Sequence, residues 1–194
     1  MTTIRKQAIL ILFSMLLLSA CTNPFHPKMW DNSSDVLRNR SPEEVLNTLE
    51  QAYLQKNIDT YSALLHTDFR FYLISSETNQ IGIDANGDGI RDGYWDRDKE
   101  LEITRNIFEY GSSNPAYSVP DAIALRLNVP PQEIWEVDMR EGHESWVIIP
   151  CTFTLSMSIN NGSGTLSATG TARFYLAPFN NSWYIMEWWD ESNL

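Results

Sequence analysis

Between Trp146 and Ile159 every second residue is apolar. Val147, Ile149, Cys151, Phe153, Leu155, Met157 and Ile159 are apolar, while Thr152, Thr154, Ser156 and Ser158 stand between them. A period of two over this length is incompatible with a helix. It demands a long strand, one face buried and the other wet, and so a sheet for it to belong to. Residues 160–164 (Asn-Asn-Gly-Ser-Gly) form a turn, and Thr165 to Ala177 then directs Leu166, Ala168, Ala172, Phe174 and Leu176 inward. Asn180-Asn181 turns the chain into a closing strand, Trp183 to Asp190. Upstream, Ile123, Leu125 and Leu127 alternate, and Ile134 to Met139 has the composition of another short strand. The C-terminal half is therefore predicted to be an antiparallel meander.

The preceding segment has helical spacing. Ser41-Pro42-Glu43-Glu44 is a helix start: Ser41 can cap, Pro42 fits the first turn and Glu44 completes a capping box. Val45, Leu46, Leu49, Ala52 and Tyr53 then share a face. A second helix is predicted from Asp59 to His66, a strand from Phe69 to Ile74, an acidic loop over residues 75–94, and a third helix through Leu101, Thr104, Ile107 and Phe108 to a stop at Gly111. Seven Trp, eight Tyr and eight Phe supply a large core without disulfides. Helices packed on one face of a curved sheet satisfy this order, giving an α+β fold.

That order, with Ser41-Pro-Glu-Glu, Leu64-Leu-His-Thr-Asp-Phe69, Tyr94-Trp-Asp-Arg97 and the closing Trp183-Tyr-Ile185, resembles the nuclear transport factor 2-like superfamily. The resemblance spans roughly residues 41–192. It implies helices on the concave face of a strongly curved antiparallel sheet, a cone also used by ketosteroid isomerase and polyketide cyclases. It implies further that ligands or catalytic groups would occupy the cone. The chain departs from simpler members in its long acidic loop and in an insertion around residues 114–133.

The N-terminus carries a separate instruction. Arg5 and Lys6 precede an apolar run from Ala8 to Leu18, too short for a spanning helix of about 18 residues or more, which ends in Leu18-Ser19-Ala20-Cys21. Leu-Ser-Ala-Cys resembles the bacterial lipobox, which implies removal of residues 1–20 as a signal peptide and acylation of Cys21. The polar segment 21–40 then reads as a flexible tether, and residues 41–194 as the domain. Thr22, not Asp, follows Cys21. In a host with two membranes the resemblance implies the periplasmic side of the outer membrane.

Residues 1–20 hold two of the 14 Lys+Arg and none of the 25 Asp+Glu, so their removal takes the net charge from −11 to −13. Such acidity argues against nucleic acid as a partner and against attachment through a basic patch. Membrane contact would come from the lipid on Cys21. Cys151, in apolar company, is expected to be a buried thiol.

The sharpest internal motif is Asp84-Ala-Asn86-Gly-Asp88-Gly89-Ile90-Arg-Asp92. Oxygen donors at positions 1, 3, 5 and 9, the backbone carbonyl of Ile90 at position 7 and glycine at 6 follow a calcium loop. It also resembles the repeats of thrombospondin type 3 modules. Trp95 stands where the final acid belongs, and Asp96 is its substitute. A solvated turn uses the same residues. Calcium here would bind on the order of 10⁻⁴ to 10⁻³ M.

In the closing strand, strict alternation puts Trp183, Ile185, Glu187 and Trp189 on one face and Tyr184, Met186, Trp188 and Asp190 on the other. Each face offers an acid, Glu187 or Asp190, that could enter the cone or lie at its rim paired with Arg. His66 is expected at a helix end, and His143 in a polar turn. Three functions fit: a non-enzymatic envelope module binding a small apolar ligand or a protein; a small isomerase, dehydratase or hydrolase using Glu187 or Asp190; or a structural module that dimerises through its sheet.

Overall fold

The computed structural model describes residues 39–111 and 118–192. Cys21, the signal segment and the tether lie outside the described residues. Helix α1 spans Pro42–Gln55 and α2 Ile58–Leu64; β1 spans Leu65–Leu73 and β2 Tyr94–Asp96. Helix α3, Arg97–Arg105, runs on into a π-helical turn, Asn106–Tyr110. Strands β3 (Ala122–Asn128), β4 (Glu136–Val137), β5 (Val147–Ile159), β6 (Gly164–Phe179) and β7 (Ser182–Asp190) follow. A one-turn helix, Thr78–Ile81, opens the acidic loop.

Local chemistry sets the helix ends. Ser41 Oγ accepts from Glu44 N at 3.2 Å, Asn57 Oδ1 from Thr60 N at 2.9 Å, and Asp96 Oδ1 from Lys99 N at 3.0 Å. Each satisfies an orphan amide of a first turn. Arg97 reaches back to the end of α2, donating from Nη2 to Ser62 O at 2.9 Å and from Nε to Leu65 O at 3.3 Å. Gly111 ends the third helix with φ 76.

The strands form a strongly curled sheet ordered β2-β1-β7-β6-β5-β3, with β4 also on β5. Every pair is antiparallel except β1–β7, which is parallel. The antiparallel expectation thus fails at that pair, because the helices lead the chain into β1 alongside its final strand. α1 buries Val45, Leu46, Leu49, Ala52 and Tyr53. Each such large side chain contributes roughly 1.5–3 kcal/mol.

Several predicted boundaries move. The second helix stops at Leu64, so His66 lies in β1, its ring stacked on Phe179 with centroids 4.3 Å apart. Of the segment Ile134 to Met139, only Glu136–Val137 is strand, preceded by a 3₁₀ turn, Gln132–Ile134.

A bulge in β7 overturns the facial assignment. Tyr175 pairs with Glu187 but Leu176 with Ile185, so Met186 is the extra residue. One inserted residue reverses the alternation beyond it. Ile185 and Trp188 therefore both enter the core, while Glu187 and Trp189 face the other side.

Candidate functional site

Two aromatic ladders cross the same four strands on opposite faces. On the helix side Trp95 stacks on Phe71 with ring centroids at 4.4 Å, Phe71 meets Trp188 at 5.5 Å, and Trp188 meets Phe174 at 4.7 Å. On the other side Tyr94 meets Tyr72 at 5.9 Å, Tyr72 stacks on Trp189 at 4.4 Å, and Trp189 meets Tyr175 at 6.0 Å. Cross-strand register brings each set together.

The helix-side interior holds a carboxylate, and it is neither Glu187 nor Asp190. Glu100, on α3 and 4% exposed, accepts from Tyr61 Oη at 2.6 Å, Trp95 Nε1 at 2.6 Å and Thr104 Oγ1 at 3.1 Å. Burial first, then the Glu100 charge, pushes the Tyr61 hydroxyl well above its ordinary pKa, so it remains a donor. Tyr53 is raised for the same reasons, and Tyr53, Tyr61 and Phe108 pack edge to face around the network. The helical spacing of Leu101 and Thr104 carried a signal for this site. Glu100 lies four residues before Thr104 on the same face, and the indole of Trp95 reaches it from β2.

The interior is filled. Tyr61, Phe69, Phe174, Leu46, Leu49 and Ile185 are all below 2% exposed. Two depressions among the described residues open at its margin. One, of about 470 Å³, runs between Glu43, Asn47 and the segment 129–135; the other, of about 310 Å³, lies between Pro130, Thr152 and Arg173. Trp188 Nε1 is buried without a hydrogen-bond partner. Cys151 is buried as expected, and burial pushes its thiol up to about 12.

Glu187 sits on the opposite face, tied down by the segment that links β4 to β5. Arg140 Nη1 donates to Glu187 Oε1 at 2.9 Å, Arg140 Nη2 to Asp138 Oδ2 at 2.6 Å, and Trp189 Nε1 to Glu187 Oε2 at 2.8 Å. The guanidinium lies 4.9 Å from the Tyr175 ring centroid and 5.6 Å from that of Trp146, and His143 stacks on Trp146 at 3.7 Å. Burial alone would raise the Asp138 carboxyl. Hydrogen bonds from the Arg140 side chain and amide and from His143 outweigh it, and hold the group well below the usual carboxylate range. Beneath this clasp Ile148, Ala177 and Met186 are buried apart from the main core, so the face expected to be wet is covered here. Asp190, at the end of β7, accepts from Ser192 N at 3.0 Å.

The acidic loop is an exposed turn organised by its own amides. Asp84 accepts from the N–H of Gly87, Asp88 and Gly89; Asn86 Oδ1 accepts from Asp88, Asp88 from Ile90, and Asp92 from Ala85. Gly87 and Gly89 supply φ values of 81 and 85. Asp96 is occupied elsewhere, as the cap of α3. Among the described residues no three His, Cys, Asp or Glu side chains converge as a metal set would.

No protein-family model and no curated protein matches the chain. Solved structures do. A provisionally named scytalone dehydratase from Novosphingobium aromaticivorans aligns over 80% of this chain and 83% of its own, at 8% identity and TM-score 0.55. A conserved protein from Planctomyces limnophilus aligns over 76% and 89%, at 9% identity and 0.52. A type 2 hexachlorocyclohexane dehydrochlorinase aligns over 78% and 82%, at 6% identity and 0.51. At such identities the likeness is one of fold. The fold is the nuclear transport factor 2-like α+β cone.

Proposed function

We propose that this protein is a lipid-anchored, non-enzymatic component of the bacterial cell envelope, whose cone-fold domain binds a ligand or an envelope protein through its outside. The observation that supports the domain's part is the closed interior. Glu100 spends its acceptors on three protein donors, and large side chains occupy the space where an open member of this fold would receive a substrate. The same fold serves enzymes and binding modules alike. A dehydratase or isomerase reading needs an acid beside an open cavity. Glu187 is engaged by Arg140 and Trp189 on the far face, and Asp190 by Ser192.

An NMR titration with small apolar ligands tests this reading. Resonances of Trp95 and Trp188 are expected to stay in place; saturable shifts at both would identify an interior site and favour the enzyme. The anchor rests on Leu18-Ser-Ala-Cys21. No described helix is long and apolar enough to cross a membrane. Cys21→Ala should move the protein from the membrane pellet to the soluble fraction with its melting temperature unchanged, and retention after a carbonate wash would defeat the anchor. Millimolar calcium binding at the 84–92 turn rests on ligand spacing alone, and calorimetric titration decides it.

A further inference from the structure

We infer that Asn161-Gly162, at the turn between β5 and β6, is a site of covalent self-modification, where the asparagine amide is lost through a cyclic imide and an acid takes its place. The turn spans residues 160–163 and follows the last cross-strand pair, Ile159 with Gly164. Asn161 and Gly162 are both exposed, so water and hydroxide reach them.

The chemistry needs an asparagine whose following amide nitrogen is open to approach. Gly162 N gives up its proton to hydroxide and attacks Asn161 Cγ. The N–Cγ bond forms, the Cγ–Nδ2 bond breaks, and Nδ2 leaves as ammonia with a proton from water. The five-membered imide then takes up one water. Opening at Cγ gives aspartate; opening at the main-chain carbonyl gives isoaspartate, whose backbone runs through Cβ and Cγ. The sum is asparagine plus water going to aspartate plus ammonium, with no change of oxidation state. Glycine suits the second position because it has no Cβ to crowd the attacking nitrogen.

Two Asn-Gly pairs occur in the chain, and the structure separates them. At the acidic turn Asn86 is held at both amide atoms: Oδ1 accepts from Asp88 N at 2.9 Å, and Nδ2 donates to Asp88 Oδ2 at 3.2 Å. The attacking nitrogen is occupied as well, Gly87 N donating to Asp84 Oδ1 at 2.7 Å. Attack there has to break all of these. Asn161 has no side-chain hydrogen bond among the described residues. Gly162 N makes one bond, to Asp121 Oδ2 at 3.2 Å, which is long for a charge-assisted contact. Asn161 also stands at φ 57, between Asn160 at φ 56 and Gly162 at φ 80. A non-glycine residue in that region is held by its turn rather than by its own preference. Asn180 and Asn181 share the conformation, but the residues after them, Asn181 and Ser182, carry a Cβ beside the nitrogen.

The product would change the turn. No charged residue occurs between Glu144 and Arg173, so a carboxylate at position 161 would be the first in that stretch. It would stand beside Asp121, whose N–H donates to Ser158 O at 2.7 Å and whose carboxylate holds Gly162. Like charges at that distance repel. The iso form also adds a methylene to the backbone of a turn between paired strands. Both effects loosen the tie between the start of β3 and the turn.

Peptide mapping by mass spectrometry tests this on the full chain held in mildly alkaline buffer. The peptide containing residue 161 should gain the mass difference between an amide and a carboxyl and split into two chromatographic forms, while that containing Asn86 stays unchanged. On isoelectric focusing the folded protein should shift by one negative charge. Asn161→Gln, whose longer side chain disfavours ring closure, should lose that shift; Asp121→Ala, which frees Gly162 N, should hasten it. A synthetic peptide of residues 157–166 sets the rate of the unrestrained sequence. Conversion at Asn86 as early as at Asn161 overturns the proposal. So does an intact Asn161 after the synthetic peptide has converted.

Discussion

Glu100→Ala is expected to lower the unfolding free energy by about 3–5 kcal/mol, read from urea melts followed by tryptophan fluorescence. Three buried donors, on Tyr61, Trp95 and Thr104, would lose their acceptor at once. Each buried donor left without a partner costs about 1–3 kcal/mol, and truncation adds a cavity. Glu100→Gln retains the volume and one acceptor oxygen, so its cost should be about 1–2 kcal/mol. A loss below about 1 kcal/mol for the alanine variant would mean that packing alone holds the cone.

Arg140→Ala should cost roughly 2–4 kcal/mol at neutral pH, because it leaves the Asp138 and Glu187 carboxylates without their shared cation while both remain buried. The expectation stays below the fully buried case because the guanidinium side chain is 45% exposed. Acid dependence provides the second readout. Asp138 has a depressed pKa in the folded state, so its contribution is present above the unfolded value near 4 and is lost as pH falls toward the folded value. The urea midpoint of the native chain should therefore drop steeply below about pH 4. Without Arg140 the folded carboxyl loses its main support, and that part of the slope should flatten. Parallel pH profiles for the two proteins would show that the clasp contributes nothing to acid stability.

These two residues show how unevenly the site could be read in advance. Ser41, Pro42 and Glu44 announce α1 because a capping box is a local device, complete within four residues. The alternation in β5 announces the sheet for the same reason. Glu187 and Asp190 were visible as acids in an aromatic strand, but their facing depended on Met186, and a bulge is an event between two strands. Strict alternation placed Glu187 with Ile185; the bulge separates them. Glu100 looked like another charge on a helix rich in charge. Only the convergence of α2, α3 and β2 brings Tyr61 and Trp95 to it. Arg140 lay in a polar stretch with no periodicity, and its role appears only when the chain folds back over β6 and β7.

The sequence by itself determined the α+β class, the helix starts, the long alternating strand and the basic, apolar, Leu-Ser-Ala-Cys21 start of the chain. Each is written in neighbours a few residues apart, where spacing alone sets the geometry. Only the tertiary structure decided that β1 and β7 run parallel, that Glu100 is the acid of the interior, and that Glu187 belongs to the outer clasp. Those outcomes depend on which distant segments share a hydrogen-bonding register, and register is a relation between strands that neither strand carries alone.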